Sequence, residues 1–291
     1  MKKKENVLIV GLGEVGLPIF KILNESGRFL VYGYDIDESK MRELGQLGES
    51  IPADVDVMHI CIPCVSQGAF VKVTVEYANR FKPKLLIIES TVPPGTTSQV
   101  YERYGHLVAH SPVYGTHKSL EYMMWEIKRW TKIVGGVDKE SAIAVCNHFK
   151  KVGIKTKILK SPIETELTKL FETIYSAWMI VFFQEMHRIS RRFNADFSEI
   201  VGAIGDIHRV RLDRPIWYPG VIGGHCLIPN TELLLKMYDS EFLRLILKSN
   251  EKRKSEIKYE NVKLEVEKIK KRVEALEKEL SKEYEVKTLQ C

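Results

Sequence analysis

Gly11, Gly13 and Gly16 form a Gly-x-Gly-x-x-Gly pattern directly after the apolar run Val7–Val10. Each glycine has a physical task. The first permits a tight turn off a strand, the second lets a pyrophosphate approach the backbone, and the third allows a helix to pack closely on the strand. The helix that follows points its first amides at the phosphates. A second apolar run, Leu30–Tyr34, ends at Asp35, 19 residues after Gly16. A carboxylate there would accept hydrogen bonds from ribose hydroxyls and repel a 2′-phosphate, so the expected cofactor is NAD rather than NADP. Glu14, Val15 and Pro63 extend the expected cofactor set. A surface cap after the strand is the alternative for Asp35, and Asp37 could share the ribose role.

Five cysteines, Cys61, Cys64, Cys146, Cys226 and Cys291, are scattered along the chain in an odd number. That is not a disulfide framework, and a reducing cytoplasm is expected. Cys61, Cys64 and Cys146 sit in core-like runs. Cys61-x-x-Cys64 lacks a second ligand pair, so neither zinc nor another metal is expected.

The elements that must position these residues follow from periodicity. From Val7 to about Lys160, β-branched runs alternate with helical stretches, which predicts a doubly wound parallel Rossmann sheet. The expected strands are Val7–Val10, Leu30–Tyr34, Val57–Ile62, Leu85–Glu89, Leu107–His110, Thr131–Gly135 and Lys155–Leu159. The unit between Tyr34 and Val57, broken by Gly45, Gly48 and Pro52, looks trimmed. Beyond Pro162, Leu167, Leu170, Ile174, Trp178, Val181, Phe182, Met186 and Ile189 recur at spacings of three and four. They predict a long helix buried against its own domain and another subunit. A Gly- and Pro-rich loop at Arg211–Pro229 leads to a helix near Thr231–Lys248. From Glu251, Tyr259, Val262, Val266, Ile269, Val273, Leu276 and Leu280 hold heptad positions among Glu, Lys and Arg, which predicts a short coiled coil and a homo-oligomer, expected to be a dimer. A solvated single helix is the alternative. The expected domains are 1–160, a Rossmann unit; 161–249, all helical; and 250–291, the coiled-coil-like helix.

The chain has 291 residues, a 28% charged fraction and a formal net charge of +6, concentrated in Lys-rich ends. Without a basic stripe interleaved with aromatics, nucleic acid is not an expected partner. Apolar runs are too short to cross a membrane, and no signal peptide is read at the N-terminus.

Four further stretches appear in order: Glu89-Ser90-Thr91-Val92-Pro93-Pro94-Gly95-Thr96-Thr97, Lys132-Ile133-Val134-Gly135-Gly136, Glu166-Leu167-Thr168-Lys169-Leu170 and Pro219-Gly220-Val221-Ile222-Gly223-Gly224-His225-Cys226. Following the glycine fingerprint, they resemble the UDP-glucose/GDP-mannose dehydrogenase family over about Val7–Lys248. The resemblance implies oxidation of a nucleotide sugar's primary alcohol to a uronate with two NAD. It assigns Cys226 as the nucleophile, Lys169 as the stabiliser of the oxyanion, and Thr91 to positioning of water and cofactor. Gly223, Gly224, Thr173 and Asn230 fall at substrate-facing positions.

Departures stand beside the matches. Where the family has Ser-Pro-Glu, with a carboxylate associated with thioester hydrolysis, this chain has Ser111-Pro112-Val113. Thr173 replaces an Asn four residues after the lysine, and Asn230 an Asp four residues after the cysteine. The family's third, nucleotide-binding domain has no counterpart in the charged stretch from Glu251. His110, Tyr114 and His117 could supply substitute acid–base groups. Two alternatives to the four-electron enzyme stay open: a two-electron 3-hydroxyacid or 6-phosphogluconate type of dehydrogenase, and a catalytically impaired NAD-binding assembly protein.

Overall fold

The computed structural model describes residues 4–45, 51–53, 55–115, 118–211 and 216–288. The expectations at Gly48, His117 and Cys291, within 212–215 of the Gly- and Pro-rich loop, and at the Leu280 side chain lie outside what is described. By internal contacts the chain forms two compact units, Met1–Phe171 and Glu172–Cys291. The division between these units falls inside the helix that starts at Pro162.

In the first unit all seven expected strands form: β1 (Glu5–Val10), β2 (Phe29–Tyr34), β3 (Val57–Ile60), β4 (Leu85–Ile88), β5 (Leu107–His110), β6 (Lys132–Gly136) and β7 (Thr156–Ile158). They make one sheet in the order β2-β1-β3-β4-β5-β6-β7. Between them lie α1 (Gly16–Glu25), α2 (Glu38–Glu43), α3 (Gln67–Phe81), α4 (Thr96–Tyr104), α5 (Leu120–Arg129) and α6 (Lys139–Lys150). Strand alternation sends Val7 and Ile9 to one face, against Ile19 and Leu23 of α1, Met123 of α5 and Phe149 of α6. Leu8 and Val10 face the opposite way, toward Phe70 and Val71 of α3 and Val100 of α4. Both faces are covered, which is why the strands read as nearly continuous apolar runs.

The trimmed unit is visible as α2, six residues long with none buried. After it the chain crosses to the other side of β1, so the strand order reverses between β1 and β3, where such sheets bind ligands. One pairing departs from the parallel expectation: β5 and β6 are antiparallel, Ala109 opposite Gly136 and His110 opposite Gly135. The chain leaves β5 and, after α5, re-enters the sheet from the same edge. Lys132 is thereby brought beside Ser111 and Pro112, just past the end of β5.

The long helix α7 (Pro162–Arg192) begins in the first unit and continues in the second. The second unit adds α8 (Phe197–Arg211), α9 (Leu227–Met237), α10 (Glu241–Glu256) and α11 (Glu260–Thr288). The helix expected near Thr231–Lys248 is in fact two, because α9 ends at Met237 and Ser240 caps α10 by accepting from the Leu243 amide. The heptad seam forms on α11 as the spacing predicts, but an intermolecular coiled coil does not follow. Val262, Val266, Ile269, Val273 and Leu276 are all buried within the single chain. Ile269, Val273 and Leu276 join Phe183 of α7, Phe197 and Val201 of α8, and Ile216 in one cluster. The apolar stripe that a second helix would cover is taken by the chain's own core, while Tyr259 at its start is exposed.

Candidate functional site

The glycine loop lies at the end of β1, beside the end of β3. Gly11 has φ of 92°, and a Cβ there would lie 2.7 Å from the Cys61 carbonyl oxygen. A Cβ on Gly16 would overlap the Gly11 carbonyl oxygen, so only glycine lets α1 start this close to the strand. A Cβ on Gly13 would meet nothing within 4 Å, which leaves that backbone open to a ligand. Val15 stands at the N-cap of α1. Asp35 at the end of β2 accepts from the Leu12 amide at 2.7 Å and from the Asp37 amide at 2.9 Å, with the Lys40 ammonium at 3.2 Å. Burial raises the Asp35 pKa, but those amides and Lys40 together outweigh it and hold the carboxyl below its usual range. Asp37 instead caps α2 by accepting from the Ser39 amide. The residues present fit a dinucleotide: a tight turn, an open backbone at a helix start, and an ionised carboxylate at the next strand end.

Thr91 and Pro63 follow β4 and β3, with Thr91 half-buried and Pro63 exposed. The Ser90 hydroxyl ties these two loops together, lying 2.6 Å from the Ile62 carbonyl oxygen. Glu166, quoted in a motif but given no role by the sequence, proves to be an anchor. Its buried carboxylate accepts from the Gly95 amide at 2.6 Å, the Thr97 amide at 2.8 Å and the Thr97 hydroxyl at 2.7 Å. An anion thus sits on the positive end of α4. Burial outweighs those bonds and leaves the Glu166 pKa raised.

Beneath these loops runs a buried polar chain that the sequence did not announce. Glu89 accepts from Lys132 Nζ at 2.5 Å and from His59 Nδ1 at 2.9 Å, and His59 Nε2 lies 3.0 Å from His148 Nε2. Charged residues at the ends of the apolar strands β4 and β6 were the available signal. Lys132 also donates to the Ser111 carbonyl at 2.5 Å and the Pro112 carbonyl at 3.2 Å. Burial would raise the Glu89 pKa, but Lys132 and His59 hold it below the usual value.

Of the proposed substitute acid–base groups, His110 is a clamp. It is fully buried between the Thr165 hydroxyl at 2.8 Å and the Ser90 carbonyl at 3.1 Å, and burial pushes its pKa down to about 4. Val113 is packed into the apolar core. Tyr114 presents its ring to Lys169, whose Nζ lies 4.9 Å from the ring centroid.

In the second unit, Cys226 is half-buried at the N-cap of α9. Gly224, two residues earlier, has φ of 75°, which favours glycine. Gly223 and Gly224 are exposed. Two of the sequence's departures are one contact: Asn230 Nδ2 donates to Thr173 Oγ1 at 3.2 Å, with both residues buried. The loop before the cysteine is pinned from α10 and α7. Asn250 Oδ1 accepts from the Ile222 amide at 2.8 Å, its amide donates to the Ile222 carbonyl at 3.2 Å, and Gln184 donates to the Gly220 carbonyl at 2.7 Å. Neither clamp had a sequence signal, since each is a polar residue within a mixed helix.

Residues 163–252 match the central domain of the UDP-glucose/GDP-mannose dehydrogenase family. The UDP-N-acetyl-D-mannosamine dehydrogenase of Methanocaldococcus jannaschii is 28% identical over 262 residues, 77% of this chain and 60% of that protein. The chain therefore spans about three fifths of that relative's length. A UDP-glucose dehydrogenase from Pyrobaculum islandicum has the same fold, with a TM-score of 0.69 at 22% identity over 86% of this chain and 68% of that one. A 3-hydroxyisobutyrate dehydrogenase of Mycobacterium tuberculosis aligns with a TM-score of 0.64 at 15% identity, over 88% of this chain and 94% of that one.

Proposed function

We propose that this chain, whose residues 163–252 match the central domain of the UDP-glucose/GDP-mannose dehydrogenase family, is a member of that family and an NAD-dependent dehydrogenase of a nucleotide sugar's primary alcohol. The observation that carries the reading is the glycine cradle locked to Asp35 through the Leu12 amide, in a chain that also holds Lys169 and Cys226 at the motif positions. Gly11, Gly13, Glu14, Val15, Gly16, Asp35, Pro63 and Thr91 would hold NAD, and Asp35 would select it against NADP. When bound, NAD supplies the hydride acceptor.

The remaining chemistry belongs to the chain. The Lys169 ammonium would stabilise the alkoxide as the hydroxyl loses its proton. The Cys226 thiolate would then form a C–S bond to the aldehyde carbon, with the negative charge passing to the carbonyl oxygen. Gly223 and Gly224 would give the substrate room at the backbone, and Thr173 and Asn230 are assigned to the substrate by their motif positions alone.

A second reading, a two-electron dehydrogenase, is favoured by Val113: a valine in the core cannot activate water against a thioester. The experiment is NADH counting with UDP-N-acetylmannosamine, UDP-glucose and 3-hydroxyisobutyrate, repeated with Cys226→Ser. Two NADH per sugar, lost in the serine variant, supports the first reading. One NADH with Cys226→Ser still active supports the second. NAD binding without turnover of any substrate overturns both in favour of a binding and assembly role.

A homodimer belongs to the proposal. Tyr175, Phe182 and Ile189 form an exposed stripe along α7, continued by Phe193 just past its end, an apolar face that single chains rarely leave in water.

A further inference from the structure

Gln184 of α7 is fully buried, and its side chain is bonded at both ends. The amide nitrogen donates to the Gly220 carbonyl at 2.7 Å, and Oε1 accepts from the Ser249 hydroxyl of α10 at 2.7 Å. That hydroxyl in turn accepts from Arg188 Nη1 at 3.2 Å. A guanidinium only donates, and a hydroxyl has a single hydrogen. The Arg188 bond therefore leaves the Ser249 hydrogen to Gln184, which must turn its oxygen to Ser249 and its NH2 to Gly220. Arg188 is fixed on its other side, with Nε donating to Glu256 Oε1 at 3.0 Å and Nη1 to Glu185 Oε2 at 2.9 Å. Glu256 also meets Arg253 Nε at 3.3 Å, and Arg253 Nη2 donates to the Gln184 backbone carbonyl at 3.2 Å, which closes a polar ring between α7 and α10.

We propose that Gln184 is a positioning residue for Cys226, aimed at the Gly220 carbonyl by a one-way donor relay that starts at Arg188 and passes through Ser249. The inference rests on the reading of Cys226 as the nucleophile and extends it. A reversed amide would set Oε1 against the Gly220 carbonyl oxygen, two acceptors with no hydrogen between them, at a residue closed to solvent. Gly223, Gly224 and His225 are exposed, and the buried anchors of the loop lie at either end. On one side Gln184 holds Gly220 and Asn250 holds Ile222. On the other the Asn230 amide of α9 donates to the Cys226 carbonyl at 2.9 Å. A glycine-rich stretch has many backbone conformations open to it. A nucleophile displaced by about 1 Å loses on the order of 100-fold in rate, so the anchor before the glycines matters to the reaction.

The test is the rate at which iodoacetamide alkylates Cys226 in the full chain, read from the mass of its peptide, in the wild type, Ser249→Ala, Ser249→Thr and Gln184→Met. Ser249→Ala frees the amide to reverse, and Gln184→Met removes the bond to Gly220 while nearly keeping the volume. Each raises the alkylation rate by about 5-fold or more, whereas Ser249→Thr, which keeps the hydroxyl, stays within about 2-fold of the wild type. In the first two kcat falls about 10- to 100-fold while KM changes by less than about 3-fold. A wild-type alkylation rate in folded Ser249→Ala and Gln184→Met overturns the proposal. So does a Ser249→Thr rate as fast as that of Ser249→Ala, because bulk and not the hydroxyl would then be at work. Where the variants fail to fold, the wild type decides: Gln184 side-chain amide protons protected from exchange with water sustain the proposal, and protons that exchange as fast as those of a surface glutamine overturn it. Alkylation needs no turnover, so failure of the dehydrogenase reading is seen separately, as no NADH from any nucleotide sugar beside alkylation that still follows the relay.

Discussion

At the scale of single residues, the site is held by polar groups that are buried and hydrogen-bonded. His110 shows what that costs. Its folded pKa of about 4 lies below the ordinary 6.5, so on acidification the unfolded chain binds a proton that the folded chain refuses. Stability should therefore be lost as the pH falls from about 6.5 toward about 4, by on the order of 3 kcal/mol from this group. Urea midpoints measured across that range should fall, and the fall should be shallower in His110→Gln. An unchanged slope in the variant would contradict the assignment. The sequence offered His110 as a possible acid or base because a histidine beside an altered motif reads the same whether buried or exposed. Only the Thr165 hydroxyl and the Ser90 carbonyl, brought in from distant segments, decide it. In the same way Thr173 and Asn230 read as two separate losses, and the fold makes them a neutral hydrogen-bonded pair.

At the scale of elements, two predictions follow from where helices begin and what they cover. Gly16→Ala would drive a methyl group into the Gly11 carbonyl and force α1 off β1. NAD affinity by titration calorimetry should fall at least about 100-fold, because the first amides of α1 lose their aim. Affinity at the wild-type level would show that the loop does not hold the pyrophosphate. On α11, Ile269→Ala should lower the unfolding free energy by about 2–4 kcal/mol without changing the molecular mass in light scattering, because its seam packs on α7 and α8. A change of mass with unaltered stability would restore the intermolecular coiled coil. Heptad spacing told the truth about which face is apolar, but spacing carries no information on which surface covers it.

At the scale of the whole molecule, the exposed stripe on α7 is the surface that a second copy would cover. Phe182→Asp combined with Ile189→Asp should convert a dimer into monomers in sedimentation velocity, with the far-ultraviolet circular dichroism retained. A dimer that survives both charges would place the interface elsewhere. No helix among the described residues is long and apolar enough to cross a membrane.

The sequence by itself determined the seven strands, the trimmed unit after β2, the cradle of Gly11, Gly13 and Gly16, and the long helix. Each is a local matter of side-chain period, backbone sterics or the missing Cβ. Tertiary structure alone decided the reversed direction of β6, the anchor at Glu166, the buried chain from His148 to Lys132, the ring under Lys169 and the fate of the α11 seam. Those depend on which distant segments meet. A buried charge or an apolar stripe fixes that a partner is needed, while the packing of the whole chain fixes which partner it gets.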